Sequence, residues 1–338
     1  MPPFHFTPEG ETLTAASARQ ALFLWLRARQ RSEPFLLARQ QTADSELWRE
    51  ELRWLGLEWH GEAEKGEMPD WLRSLPPLEE SEPSPWGQWS GHTRVAELRE
   101  LGVLPEALLN FLALTAWTPP PDPRTGKPRE ILSREDLLAL WLPENLLHEP
   151  TRFDFEQLRR INHAWLQRAD LDRLVALALP YYQRVNWLPQ EVSEPVRLWL
   201  RDLLRAVLPG LDFLSLLPPR TRLVFDYQPE NYLRVPESRQ AMEREGAREV
   251  MRAFGQRALE DSWLTPERFH QIIEDLKHET PWRGRALYHP IRVMLTGLPF
   301  GPSLDDLLLL IERGAELDLP VRIKSCRERV LEFCAVFV

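Results

Sequence analysis

RVAELRELGVLPEALLNFLALTAW, residues 94–117, decides how the chain is read. Val95, Leu98 and Leu101 share one helical face, Gly102 can close that helix in the left-handed conformation, and Pro105 with Glu106 can open the next. The spacing therefore predicts two helices meeting at a tight elbow. From Ala107 to Leu114 the second helix is apolar nearly all round, so it is expected to be buried on most sides and to bridge the parts before and after it.

Upstream, residues 4–60 predict strand, helix, strand, helix. Phe4 to Thr7 and Phe35 to Ala38 are short extended runs, while Ala18 to Arg29 carries Ala21, Leu22, Trp25, Leu26 and Ala28 at helical spacing. Asp44 or Ser45 can cap a helix holding Leu47, Trp48, Leu52 and Leu55, which closes near Gly56. This is the first half of a doubly wound nucleotide-binding unit. From Gly61 to Ser90 the composition turns to Pro, Glu, Ser and Trp, and Pro69, Pro76, Pro77, Pro83 and Pro85 are expected to exclude a second half-sheet. Trp71, Trp86 and Trp89 are expected to anchor this linker on the sheet face left uncovered, with a partner surface as the other use for them.

Downstream of the elbow, Thr118 to Arg129 reads as a Pro-rich surface loop, and Ser133 with Asp136 as a capping box for a helix from Glu135 to Leu142. Helical spacing dominates Asp154 to Gln167, Leu171 to Leu179, Ser193 to Val207 and Arg239 to Glu260, punctuated by Pro180, Pro209, Pro218 and Pro219. Thr265-Pro266-Glu267 starts a further helix to His278, and no internal repeat is found. Gly284 to Pro302 reads as a loop without acidic residues, in which Arg283, Arg285 and Arg292 lie beside Tyr288, His289 and Phe300. Arginine interleaved with aromatics suits phosphate contact plus base stacking. Arg159 and Arg160 are further RNA-contact candidates on the Asp154 helix. The apolar end, Leu331 to Val338, is expected to form a strand tucked into its own domain.

At 338 residues the chain is expected to form about two to four compact units. There is no apolar run of about eighteen residues and no secretory-signal pattern, so a cytoplasmic protein with no membrane partner is expected. Cys326 and Cys334 predict buried reduced thiols, and the scattered histidines predict no metal site. A net charge of -9 argues against a broadly basic surface while leaving room for local patches.

In this order the segments resemble a glutamyl-tRNA synthetase, a class I aminoacyl-tRNA synthetase, with most of the catalytic domain removed. The resemblance is carried by residues 94–117, by LSREDLLALW, TRFDFEQLRRINHAWLQ and WRGRALYHPIRVMLTGLPFGP, and upstream by SARQALFLWL and WLGLEW. It implies a mainly α fold: an α/β remnant of the synthetase Rossmann fold at 1–60, a Pro/Trp-rich linker at 61–90, a stem-contact-like segment at 91–150, and anticodon-binding-like helical domains at 151–220 and 221–338.

The positions that match the family's chemistry depart from its pattern. Its first ATP motif, Leu-His-x-Gly-Gly-Ala-Arg, falls on Leu13 to Arg19, with Thr14, Ala16 and Ser17 at the phosphate-contacting places. Its amino-acid-binding strand end falls on Ala38 to Ala43, where Ala38, Gln40 and Gln41 stand for the charged groups. Its Lys-x-Ser-Lys-Arg loop falls on Pro85, Trp86, Gly87, Gln88 and Trp89, without a lysine. One positioned group of this kind is worth ~3 kcal/mol of transition-state stabilisation. The resemblance thus implies a truncated paralogue with no catalytic residue and no cofactor, which acts on tRNA or in regulation through its helical body. A protein-interaction module that no longer meets RNA stands as the alternative, and residual glutamate–tRNA ligase activity as the third.

Overall fold

The computed structural model describes residues 4–7, 11–39, 45–64, 66–232 and 234–337, of which side chains are described for all but 45, 231 and 232. Two compact units divide the chain. Unit 1 holds residues 1–168 and 212–215, and unit 2 holds 169–211 and 216–338.

Unit 1 opens with β1 (Phe4–Phe6), α1 (Ala15–Arg31), β2 (Phe35–Ala38), α2 (Ser45–Leu55) and β3 (Gly61–Ala63). The three strands form one parallel sheet in the order β1-β2-β3, with Phe4 opposite Phe35 and Leu36 opposite Gly61. The third strand begins the stretch expected to be linker at 61–90, and among the described residues this sheet ends with it. Gly61 to Ala63 precedes Pro69, the first of those prolines, so its ladder donors are intact.

After α3 (Asp70–Arg73) and β4 (Leu78–Glu79) come α4 (Val95–Leu101), α5 (Pro105–Leu114), α6 (Arg134–Leu140), β5 (Thr151–Arg152), which pairs with β4, and α7 (Phe155–Leu166). The elbow forms as predicted, because Gly102 sits at φ 92° and Pro105 occupies the first turn of α5. Leu214 backbone lies 2.4 Å from where a Gly102 Cβ would stand, so this glycine is also required sterically. Helix α5 is buried from Ala107 to Ala113 and packs against α1, α2, α6 and α7. Thr14 and Ser133 are the N-caps of α1 and α6, each closing a capping box.

The linker tryptophans do anchor the linker, but not on the sheet face. Trp86 packs against Phe155 and Phe213, Trp89 stacks on Phe153 and Phe155, and Trp71 meets Trp141 edge-on. Aromatic rings from α7 and from residues 212–215 supply a larger apolar surface than three short strands do.

Unit 2 comprises α8 (Leu171–Arg184), α9 (Glu194–Val207), α10 (Leu217–Phe225), α11 (Pro229–Tyr232), α12 (Pro236–Met242), α13 (Ala247–Ala258), α14 (Pro266–Glu279), α15 (Arg285–Thr296), α16 (Leu304–Ala315) and α17 (Cys326–Phe337). Four expectations are corrected here. Pro180 lies inside α8 instead of ending it, and Tyr182 beyond it is fully buried among Trp187 and Phe225, which holds the last turn. The expected helix at 239–260 is two, broken at Gly246 with φ 80°. Residues 285–296 are helix, not loop, despite Pro290. The apolar tail is helix through Phe337, with Val338 outside the described residues, since a short apolar run does not distinguish strand from buried helix by period.

Arg329 on α17 is fully buried and holds the core of this unit together. Its guanidinium donates to the carbonyls of Leu223, Val224, Leu295 and Lys324 and lies over the Tyr227 ring. Cys326 is buried as a free thiol and Cys334 is a half-buried one.

Candidate functional site

An α-helix begins with unpaired N–H groups, and these make a phosphate site when they face an open cavity. At the start of α1 the described amides are already engaged. Leu13 N donates to Glu51 Oε2 at 2.7 Å and Thr14 N to Ser17 Oγ at 2.8 Å. Ala15 N donates to Thr93 O at 2.8 Å and Ala16 N to Gly91 O at 2.9 Å, while Ser17 N reaches Thr14 Oγ1 at 3.2 Å. In return Leu13 O accepts from Val95 N. The segment before α4 therefore lies on the helix start, and a Cβ on Gly91 would stand 2.9 Å from Leu78 O and 3.3 Å from Ala16 Cβ.

Glu51 itself is 6% exposed, and burial raises its carboxyl above the ordinary range. Arg19 is buried and donates to Thr115 Oγ1 and Pro76 O; burial brings it down to about 10. Pro85 and Gly87 sit in a turn closed by reciprocal Ser84 and Gly87 backbone bonds, and Gln88 donates to Glu80 at 2.8 Å. Ala38 is buried at the end of β2, whereas Gln40 and Gln41 lie outside the described residues.

Helix α15 is capped differently. It starts at Gly284 with no side-chain cap and no acidic residue in its first turn. Tyr288, His289 and Arg292 on this helix line a cleft of about 500 Å³ with Phe269, His270 and Phe300. Phe300 is 55% exposed. Burial, and then the positive fields of Arg244, Arg285 and Arg292, lower the His289 pKa below the ordinary histidine value. Arg292 donates to Pro302 O, and its Nε is buried without a partner among the described residues. Burial also lowers its pKa, though not enough to discharge a guanidinium at neutral pH. Asp305 at the rim is matched with His270 at 3.1 Å.

The structure thus brings together Tyr288, Arg292 and, on the same helix, the exposed Arg285. Arg283 instead closes the end of α14, donating to the carbonyls of Lys277, Thr280 and Trp282. Arg159 and Arg160 belong to unit 1, where Arg159 pairs with Glu156 and Asp212 and Arg160 pairs with Glu130. Sequence spacing did not single out Arg244, which the turn before Gly246 supplies, nor Glu51, whose role depends on the loop over α1. Among the described residues no group of three or more His, Cys, Asp or Glu is placed to hold a metal ion, and no helix is long and apolar enough to cross a membrane.

A family model described as an anticodon binding domain matches residues 173–317. The glutamate–tRNA ligase of Heliobacterium modesticaldum is 32% identical over 238 residues, which is 70% of this chain and 46% of that protein. Glutamate–tRNA ligase 1 of Caldicellulosiruptor saccharolyticus is 29% identical over 221 residues, 65% of this chain and 44% of that protein. The chain therefore spans a little under half the length of the curated relatives it matches. A crystal structure of a glutamate tRNA ligase from Elizabethkingia meningosepticum matches with a TM-score of 0.64 at 13% identity over 99% of each chain. The glutamate-tRNA synthetase from Elizabethkingia anophelis matches with a TM-score of 0.51 at 16% identity, over 93% of this chain and 59% of that one. These two likenesses show a shared fold.

Proposed function

The chain belongs to the glutamyl-tRNA synthetase family, and from that premise we propose that it is a member without aminoacylation chemistry that binds tRNA through unit 2. One observation carries the non-catalytic half. The backbone amides from Leu13 to Ser17, where the family's first ATP motif falls, are all engaged within unit 1, so a triphosphate would have to displace Glu51, Thr93 and Gly91 to be held there. Adenylate formation needs bound phosphates, cations on their developing charge and a positioned carboxylate. Thr14, Ala16, Ser17, Pro85, Gly87 and Gln88 offer no side-chain cation for that purpose, and no ATP cofactor is assigned.

The RNA half is supported by the anticodon-binding family match, which spans the cleft, by Arg292 beside the aromatic and imidazole rings that line it, and by the positive fields of Arg244 and Arg285 that reach His289. Backbone phosphates would meet the guanidinium groups, and an unpaired base would stack on Phe300 or Tyr288. Within this role residues 91–150 act as a stem-contact segment, and of the helical stretches expected at 151–220 and 221–338 the residues 169–211 and 216–338 form the helical body, unit 2. The packing of Trp71, Trp86 and Trp89 inside unit 1 weighs against a protein-docking use of those rings.

Glutamate-dependent ATP–pyrophosphate exchange, run with and without tRNA, tests the first half, and gel-shift titration of total tRNA across a salt series tests the second. Exchange at background and salt-sensitive retention of tRNA are expected. Exchange above background overturns the non-catalytic assignment, and no retention at micromolar protein in low salt overturns the RNA assignment.

A further inference from the structure

Residues 118–131 of unit 1 run Thr-Pro-Pro-Pro-Asp-Pro-Arg-Thr-Gly-Lys-Pro-Arg-Glu-Ile. Their base is fixed on both sides. Trp117 is buried and bridges Leu146, while Asn110 of α5 donates to Glu130 O and accepts from Leu132 N at 2.9 Å.

The tip is closed by its own bonds. Pro121 and Pro128 face each other as an antiparallel bridge, Asp122 N donates to Lys127 O at 2.8 Å, and Gly126 N donates to Asp122 O at 2.8 Å. The Asp122 carboxylate accepts from the amides of Arg124 and Thr125 at 2.7 and 3.3 Å. Gly126, at φ 68°, has no described atom within 4 Å of the place a Cβ would take, so the tip stands in solvent. Prolines at 119, 120, 121, 123 and 128 stiffen the segment further.

The charges of this finger sort into two groups. Arg129 pairs with Asp136, Glu130 pairs with Arg160, and Asp122 is turned onto backbone amides. Arg124 and Lys127 remain at the tip, exposed, without an ion pair or a side-chain hydrogen bond among the described residues. Two uncompensated cations are therefore held on a preorganised loop, in a chain whose net charge is -9.

We infer that Pro119 to Arg129 is a phosphate-contacting finger, with Arg124 and Lys127 docking on the backbone of the RNA; this rests on the tRNA-binding role proposed above. Apart from its prolines the tip carries no aromatic or aliphatic side chain of the kind that anchors most of a protein interface's affinity, whereas backbone phosphates are recognised by charge. Preorganisation lowers the entropy lost when the two side chains engage.

The double variant Arg124→Gln/Lys127→Gln tests the finger against the unmodified chain, with total tRNA titrated from low to moderate salt. Each phosphate contact contributes about 0.7 to 0.9 to the slope of log affinity against log salt, so the double variant is expected to lose about 1.4 to 1.8 of that slope at unchanged thermal stability. Equal slopes for the two proteins, with tRNA still bound, overturn the finger and leave the cleft in place. Absence of binding by the unmodified chain overturns the RNA role and the finger with it.

Discussion

The starts of α1 and α15 are built from the same element and differ in what satisfies it. At α1 a capping box, two backbone carbonyls and a buried carboxylate take up the amides from 13 to 17. At α15 a glycine without a side-chain cap opens a helix that carries Tyr288, His289 and Arg292 into a cleft. Both starts satisfy backbone donors internally, Ala286 N and Leu287 N of α15 on the carbonyls of Arg283 and Gly284; what differs is that α15 carries a cation and rings that face a cavity and are free to take a ligand.

Substitutions at four positions sharpen or break this contrast. The largest effect is expected at Arg329, which lies in the core of unit 2 and not in its cleft. Arg329→Met leaves four buried carbonyls without their donor and should lower unfolding free energy by about 4 kcal/mol in urea titrations followed by circular dichroism. A loss below about 1 kcal/mol would mean that α15 does not depend on this buried cation.

Glu51→Ala should cost about 3 kcal/mol, because Leu13 N loses its acceptor in a buried site. Glu51→Gln keeps an acceptor and exposes the pH dependence instead. Burial places the folded-state pKa of Glu51 above its ordinary value of 4.5, so the folded chain holds that proton more tightly than the unfolded chain. The stability linked to this group is then fully present below pH 4.5 and falls as pH rises through the folded value. Thermal melts across that window should decline less steeply with pH in Glu51→Gln than in the unmodified chain.

Thr14→Ala removes the α1 cap and should lower stability by about 1 kcal/mol, without producing ATP binding by calorimetry. Measurable nucleotide binding there would break the contrast at its root. Arg285→Gln, at an exposed position of α15, should leave the melting temperature unchanged while lowering the tRNA salt slope by about one unit. Loss of stability without loss of slope would make Arg285 a structural residue.

Much of the local architecture was legible in the sequence. Gly102 and Pro105 marked the elbow, Ser133 with Asp136 marked a cap, and the apolar spacing of 18–29 marked α1. The failures share a cause. Pro180 and Pro290 are tolerated inside helices because neighbouring side chains hold the turns around them, and a local breaker rule does not contain that packing energy. The tail at 331–338 had too few residues for its period to show, and Val330 and Phe333, buried in unit 2, settle it as helix.

Of the candidate site, the composition of Gly284 to Pro302 pointed to cations beside rings, but it did not separate Arg292, which enters the cleft, from Arg283, which closes α14. Arg159 and Arg160 looked equally available in sequence and are each matched by a carboxylate distant in the chain, Asp212 and Glu130. By itself the sequence determined the order of helices, the elbow and the kinds of residue present at each place, because caps, glycines and apolar periods act over a few neighbours. Only the tertiary structure decided that Glu51, Gly91 and Thr93 meet the start of α1 and that the field of Arg244 reaches His289. Those pairings join segments far apart in the chain, and their energy comes from burial and hydrogen bonding that exist only once the units have folded.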